Sequence, residues 1–158
     1  MPEIIILIGL PGSGKSTYCE KIIKEKEYVI ASTDNLIEEY AKGVGITYSE
    51  AWYIVDHKIL KKIFDTNIKE AIKENKNIIV DRTNMFKKSR NSILNIIPKN
   101  YKKIAIIFEI PEDELKNRLL KRGQDTGKII SEDIVEFFAS NYVPPIDKDF
   151  DQIIFIYD

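Results

Sequence analysis

Gly9-Leu10-Pro11-Gly12-Ser13-Gly14-Lys15-Ser16, followed by Thr17, is a spacing suited to holding phosphate. It satisfies G-x-x-x-x-G-K-[ST] between an apolar run and a helical pattern, the context that such a loop requires. Its glycines permit backbone conformations that a β-carbon blocks, so successive N–H groups can converge on phosphate oxygens. The helix that opens there adds its positive end to the same anion. On this reading Gly12, Ser13, Gly14, Lys15, Ser16 and Thr17 bind the nucleotide; Lys15 reaches the β- and γ-phosphates, and the Ser16 hydroxyl ligates Mg²⁺.

Three further groups have positions that fit phosphoryl transfer from ATP. Asp34, in Ala31-Ser32-Thr33-Asp34-Asn35, follows an apolar run. It is either the N-cap of a helix through Leu36, Ile37 and Tyr40, or a base that takes the proton of an acceptor hydroxyl, or both. Asp81 closes Ile78-Ile79-Val80, where a carboxylate holds Mg²⁺ or simply forms the turn. Arg82, Thr83 and Asn84 then offer donors to an acceptor. Arg118 and Arg122, four apart, share a helix face ahead of Gly123-Gln124-Asp125-Thr126-Gly127. They fit either a movable lid whose arginines fork onto phosphate or a solvated basic face. Trp52 and His57 read as packing or surface residues.

The elements that must position these groups alternate. Ile4 to Ile8, Tyr28 to Ala31, Ile78 to Val80, Ile104 to Phe108 and Ile153 to Tyr157 are strand-like. Most are continuously Ile/Val-rich, as strands buried on both faces of a parallel sheet are. Helical patterns cover Lys15 to Lys26, one long stretch from Tyr48 to Asn75, Lys87 to Ile97, Glu112 to Arg122 and Ser131 to Asn141. Alternation of this kind predicts an α/β fold with a parallel sheet under helices on both faces.

With 158 residues and 44% hydrophobic content, residues 1–158 are read as a single domain. One cysteine and one histidine exclude a disulfide within the chain and a structural zinc site. Ile4 to Ile8 is too short for a secretory leader and no run reaches membrane-spanning length, so the expectation is a reduced, cytoplasmic protein. No oligomeric state is implied. From Arg82 to Lys128, twelve Lys or Arg face five Asp or Glu, a local +7 that leaves −8 elsewhere. That asymmetry suits a polyanionic ligand, and equally a solvated surface. No N-K-x-D element of the kind that GTPases use is present.

The chain resembles the polynucleotide 5′-hydroxyl kinases and their P-loop relatives. The residues that carry the resemblance are Gly9 to Thr17, Thr33-Asp34-Asn35, Val80-Asp81-Arg82-Thr83-Asn84, Ser89-Arg90 and the Arg118/Arg122 pair. Gly127 to Ile130, Asn141-Tyr142-Val143-Pro144-Pro145 and Phe150 to Ile153 also resemble the ending of animal polynucleotide kinases and the nucleotide-binding domain of hnRNP U. The resemblance implies a three-layer P-loop kinase fold with a helical lid and a five-stranded parallel sheet in the order 2-3-1-4-5. It further implies Asp34 as general base and Arg118 and Arg122 on the ATP phosphates. Mg²⁺ and the 5′-OH end of DNA or RNA complete the expected set of ligands. One departure stands out: phage enzymes of this type carry an arginine three residues after the base, where this chain has Ile37. A small-molecule or protein-directed kinase and a nucleotide-binding module without catalysis are the alternatives.

Overall fold

The computed structural model describes residues 1–157. The first strand, β1 (Glu3–Ile8), leads into α1 (Lys15–Ile22), then β2 (Val29–Ala31) and α2 (Thr33–Val44). α3 (Tyr48–Ile54), α4 (His57–Lys73), β3 (Ile78–Val80), α5 (Lys87–Leu94), β4 (Lys102–Glu109), α6 (Glu112–Thr126), α7 (Glu132–Ser140) and β5 (Gln152–Tyr157) follow. The five strands are parallel and lie in the order β2-β3-β1-β4-β5. The expected α/β sheet and its order are what the structure shows.

Register explains the continuous apolar runs. Ile4, Ile6 and Ile8 of β1 enter a core with Phe64 and Ile68 of α4 and Ile93 of α5. Ile5 and Leu7 point the other way, with Ile79, Ile106 and Cys19 of α1. Successive side chains alternate between faces and helices cover both, so the middle of β1, β3 and β4 is apolar at every position while Glu3, Lys102, Lys103 and Glu109 sit at strand ends. Burying each of these side chains contributes about 1.5–3 kcal/mol. Cys19 faces the sheet as a small apolar residue, and burial pushes its thiol up to about 12.

Several expected element boundaries move; α1 ends at Ile22 and not Lys26, and α5 at Leu94 and not Ile97. The stretch from Tyr48 to Asn75 is two helices, because Asp56 caps the second with its carboxylate accepting from the Lys58 and Ile59 amides. The helix expected to stop at Arg122 continues through Gly123 to Thr126 and ends on Gly127, whose φ of 70° is left-handed. Of the two glycines, only Gly127 takes a conformation that terminates a helix. The segment expected as a loose lid is therefore the last turn of α6. No helix among the described residues is long and apolar enough to cross a membrane.

Candidate active site

β1 and β3 end side by side, and the loops after them converge. Gly9 N–H donates to the Thr83 carbonyl at 3.0 Å, joining the loop after β1 to the one after β3. Gly12 (φ 82°) and Gly14 (φ 101°) take the left-handed conformations that let the loop fold over the start of α1. Gly14 is also the N-cap of α1 and offers no side chain to its amides. The first N–H groups of that helix therefore have no side-chain cap, an arrangement that suits an anion.

Lys15 is buried here. Its ammonium donates to the Gly9 carbonyl at 2.9 Å and the Leu10 carbonyl at 2.7 Å, with Ser13 Oγ at 3.4 Å. Burial lowers its pKa to about 8 against the opposing pull of Asp81 and Asp34. Ser16 Oγ donates to Asp81 Oδ2 at 3.0 Å, and burial raises the Asp81 carboxyl above its usual range despite that bond. A hydroxyl and a carboxylate oxygen this close are the hard donors a magnesium ion accepts while it keeps most positions for phosphate and water. Across the loop, a β-carbon on residue 12 would lie 2.8 Å from Leu119 Cδ2, and one on residue 14 would lie 3.6 Å from an Arg118 nitrogen. The loop and α6 are thus in contact, and Arg118 also donates from Nε to Glu114 at 3.1 Å.

Asp34 sits in the first turn of α2. Ser32 is the N-cap, its hydroxyl accepting from the Asn35 amide at 3.2 Å, so the capping alternative for Asp34 is set aside. Instead, Asp34 Oδ1 accepts from the Tyr48 hydroxyl at 2.7 Å and Oδ2 from the Lys128 ammonium at 3.2 Å. Burial opposes its charge, yet Lys128, Tyr48 and Arg122 together hold its carboxyl below the ordinary value. Lys128 is only 5% exposed and also donates to Glu38 Oε1 at 3.1 Å. Its ammonium lies 4.3 Å from the centre of the Tyr48 ring, a cation–π contact. The Ser49 hydroxyl donates to the Gly127 carbonyl at 2.7 Å, which ties the end of α6 to the start of α3.

Gly12, Ser13, Gly14, Lys15, Ser16, Thr17, Asp34, Asp81, Arg82, Thr83, Arg118 and Arg122 all line one cleft of about 1260 Å³. Asn84 does not. It is buried with φ 48°, and its Nδ2 donates to the Leu7 carbonyl at 2.8 Å, so it braces β1 against β3 and does not offer itself to an acceptor. Arg90, one of the residues that carry the family resemblance, is buried and donates to the Asn84 carbonyl at 2.9 Å. Arg82 lays its guanidinium 4.9 Å from the Phe64 ring centre. Tyr48 and Lys128 escaped the reading of residue types because nothing in local spacing links them to Asp34. The only signal for Lys128 was its place beside Gly127.

A profile of the AAA domain family matches residues 4–145. The uridylate kinase of Saccharomyces cerevisiae is 29% identical over 148 residues, covering 89% of this chain and 71% of that protein. A shikimate kinase of Clostridium botulinum is 30% identical over 151 residues, covering 89% of this chain and 78% of that one. A solved structure of the Pnkp1/Rnl/Hen1 RNA repair complex superposes with a TM-score of 0.70 and 26% identity, over 89% of this chain and 43% of that chain. Together with the glycine loop at the end of β1 and the sheet order, these matches define the class: the chain belongs to the AAA domain family and is a P-loop kinase, a nucleotide-dependent phosphotransferase.

Proposed function

We propose that the chain transfers the γ-phosphoryl group of ATP, as its Mg²⁺ complex, to the 5′-hydroxyl of a nucleic-acid end. The observation that carries this reading is the Asp34 carboxylate, kept ionised by Lys128 and Tyr48 in the same cleft as the phosphate loop. Each carboxylate oxygen has two acceptor positions, so Asp34 retains capacity for an acceptor O–H while both neighbours stay bonded. The Tyr48 hydroxyl is pushed above its usual range by burial and by Asp34, so it stays a donor.

In the reaction, the acceptor oxygen forms a bond to the γ-phosphorus as the bond to the β,γ-bridging oxygen breaks, releasing ADP. The acceptor proton passes to Asp34. Lys15 and the amides of Gly12 to Thr17 hold the phosphates, and Arg118 and Arg122 stabilise the charge spread over the transferring group. Ser16 and Asp81 are the residues that would hold Mg²⁺. When bound, the ion neutralises β- and γ-phosphate charge.

The sequence resemblance and the similarity to a protein of an RNA repair complex support a nucleic-acid acceptor. A second reading, a small-molecule acceptor, is favoured by Ile37: it is 2% exposed in a cluster with Ala41, Ala51 and Leu60, where a phosphate-reading arginine has no room. Incubation with labelled ATP separates the two. Label transferred to a 5′-OH oligonucleotide, with inhibition by added salt, supports the first. Salt-insensitive transfer to shikimate or a nucleotide monophosphate, with none to DNA or RNA ends under any divalent metal, overturns it.

A further inference from the structure

Beside Asp34 the cleft is also lined by aromatic and apolar side chains, of which the phosphate chemistry uses only the Tyr48 hydroxyl. Among them are Tyr48, Trp52 and Tyr53 of α3 and Ile129, just past α6. Trp52 is 45% exposed, Tyr53 83% and Ile129 75%. Large apolar and aromatic side chains grouped in this way around an opening mark a recognition surface more than a solvated one. Tyr48 and Trp52 are four residues apart on α3, so the indole shares a helix face with the phenol that holds Asp34.

The indole is braced from two sides. The Tyr53 ring meets it edge-on, with centroids 5.3 Å apart at 81°, and the His57 ring lies 4.6 Å away. His57 is fixed in turn, with Nε2 2.8 Å from the Trp52 carbonyl. A side chain restrained before its ligand arrives loses little entropy on binding. Polar groups beside these side chains are few. The Tyr48 hydroxyl and the Lys128 ammonium are already bonded to Asp34, so a polyol would find little to replace its hydration. A flat ring needs none.

We infer that Trp52, with Tyr53 and Ile129 beside it, is the stacking seat for the 5′-terminal nucleobase of the acceptor strand, setting that nucleotide's hydroxyl against Asp34. The inference rests on the proposed 5′-hydroxyl reading. Stacking accepts any base, because every base has a π-face, and it serves single-stranded ends best, since their bases are free to be splayed out. The seat therefore selects for the presence of a terminal base and not for its identity.

Trp52 is the only tryptophan in the chain, so its emission reports on this part of the cleft alone. With the donor side saturated by Mg·ADP, a 5′-OH oligonucleotide is expected to change that emission saturably. The same strand with an abasic 5′ residue should bind roughly tenfold or more weakly and leave emission unchanged. A free nucleoside should act more weakly than the strand; an equal or stronger response would overturn the assignment to a strand end. Trp52→Ala is expected to raise the oligonucleotide KM roughly tenfold with most of the effect outside kcat, and Trp52→Phe to recover most of the loss. Equal KM values for base-bearing and abasic ends, or an unmoved KM in Trp52→Ala, would overturn the stacking seat while leaving 5′-end phosphorylation standing. Failure of every oligonucleotide to accept phosphate would instead remove the proposed acceptor class.

Discussion

The two ends of the cleft are built from different materials. The donor end is main chain: left-handed glycines at 12 and 14, the amides that open α1, and a loop joined to the next one through Gly9 N–H and the Thr83 carbonyl. The end around Asp34 is made of side chains that arrive from α2, α3 and the segment after α6, held by the contacts of Tyr48, Ser49 and Lys128. Backbone geometry is encoded locally, in a run of nine residues. A carboxylate gripped by two side chains, 14 and 94 positions away, is encoded by the whole fold. Substitutions at the first end should therefore act on nucleotide, and substitutions at the second on transfer.

The largest break in that division is expected from Asp34→Ala. Transfer should fall by about 10²–10⁴-fold, the usual contribution of a positioned base, while ATP affinity measured by titration stays within a few-fold. Loss of both together would erase the distinction between the two ends.

Lys128→Met tests the second end more gently. Lys128 favours the ionised form of Asp34, so removing it raises that carboxyl's pKa. A base is lost as pH falls through its pKa, so the acidic limb of the pH–rate profile should move to higher pH. Turnover on that limb should drop relative to the unsubstituted protein, with recovery as pH rises. An unmoved limb would mean that Lys128 is a structural tie only.

The smallest effect concerns the donor end. Burial lowers Lys15 from the ordinary 10.5 to about 8, so below pH 8 it is charged and above it increasingly neutral. Binding a triphosphate favours the charged form, so nucleotide binding should take up a proton above neutrality. Affinity should weaken by about twofold at pH 8 and more steeply beyond it. Calorimetry in buffers of different ionisation enthalpy reads the proton directly. The same linkage makes the free protein more stable as pH rises from 8 to 10.5, because the unfolded chain then holds more protons at this residue.

What could be read from the sequence follows the same divide. The phosphate loop and the doubly buried strands were legible because their signals are short-range: glycine spacing, and Ile/Val runs with no polar position to spare. The break at Asp56 was also local and would have followed from reading Val55-Asp56-His57 as a cap. Gly123 misled because a helix absorbs one glycine at a cost of about 1 kcal/mol. Here Ile129 also lies over the backbone at residue 123. Ile37 stood out in the sequence as a departure, but only the assembled α2, α3 and α4 cluster explains it. Lys128, Tyr48 and the brace at Asn84 depend on contacts across the fold, and no residue count announces them.

The near-contact between residue 12 and Leu119 has a mechanical consequence. Leu115 and Leu119 of the helix bearing Arg118 and Arg122 lie so close over residue 12 that the gap has no space for a β-carbon. Any side chain at position 12, even a methyl group, would have to displace the Leu119 side chain. It would also have to hold the left-handed φ of 82°, which a β-carbon disfavours, in the loop that faces the arginine-bearing helix.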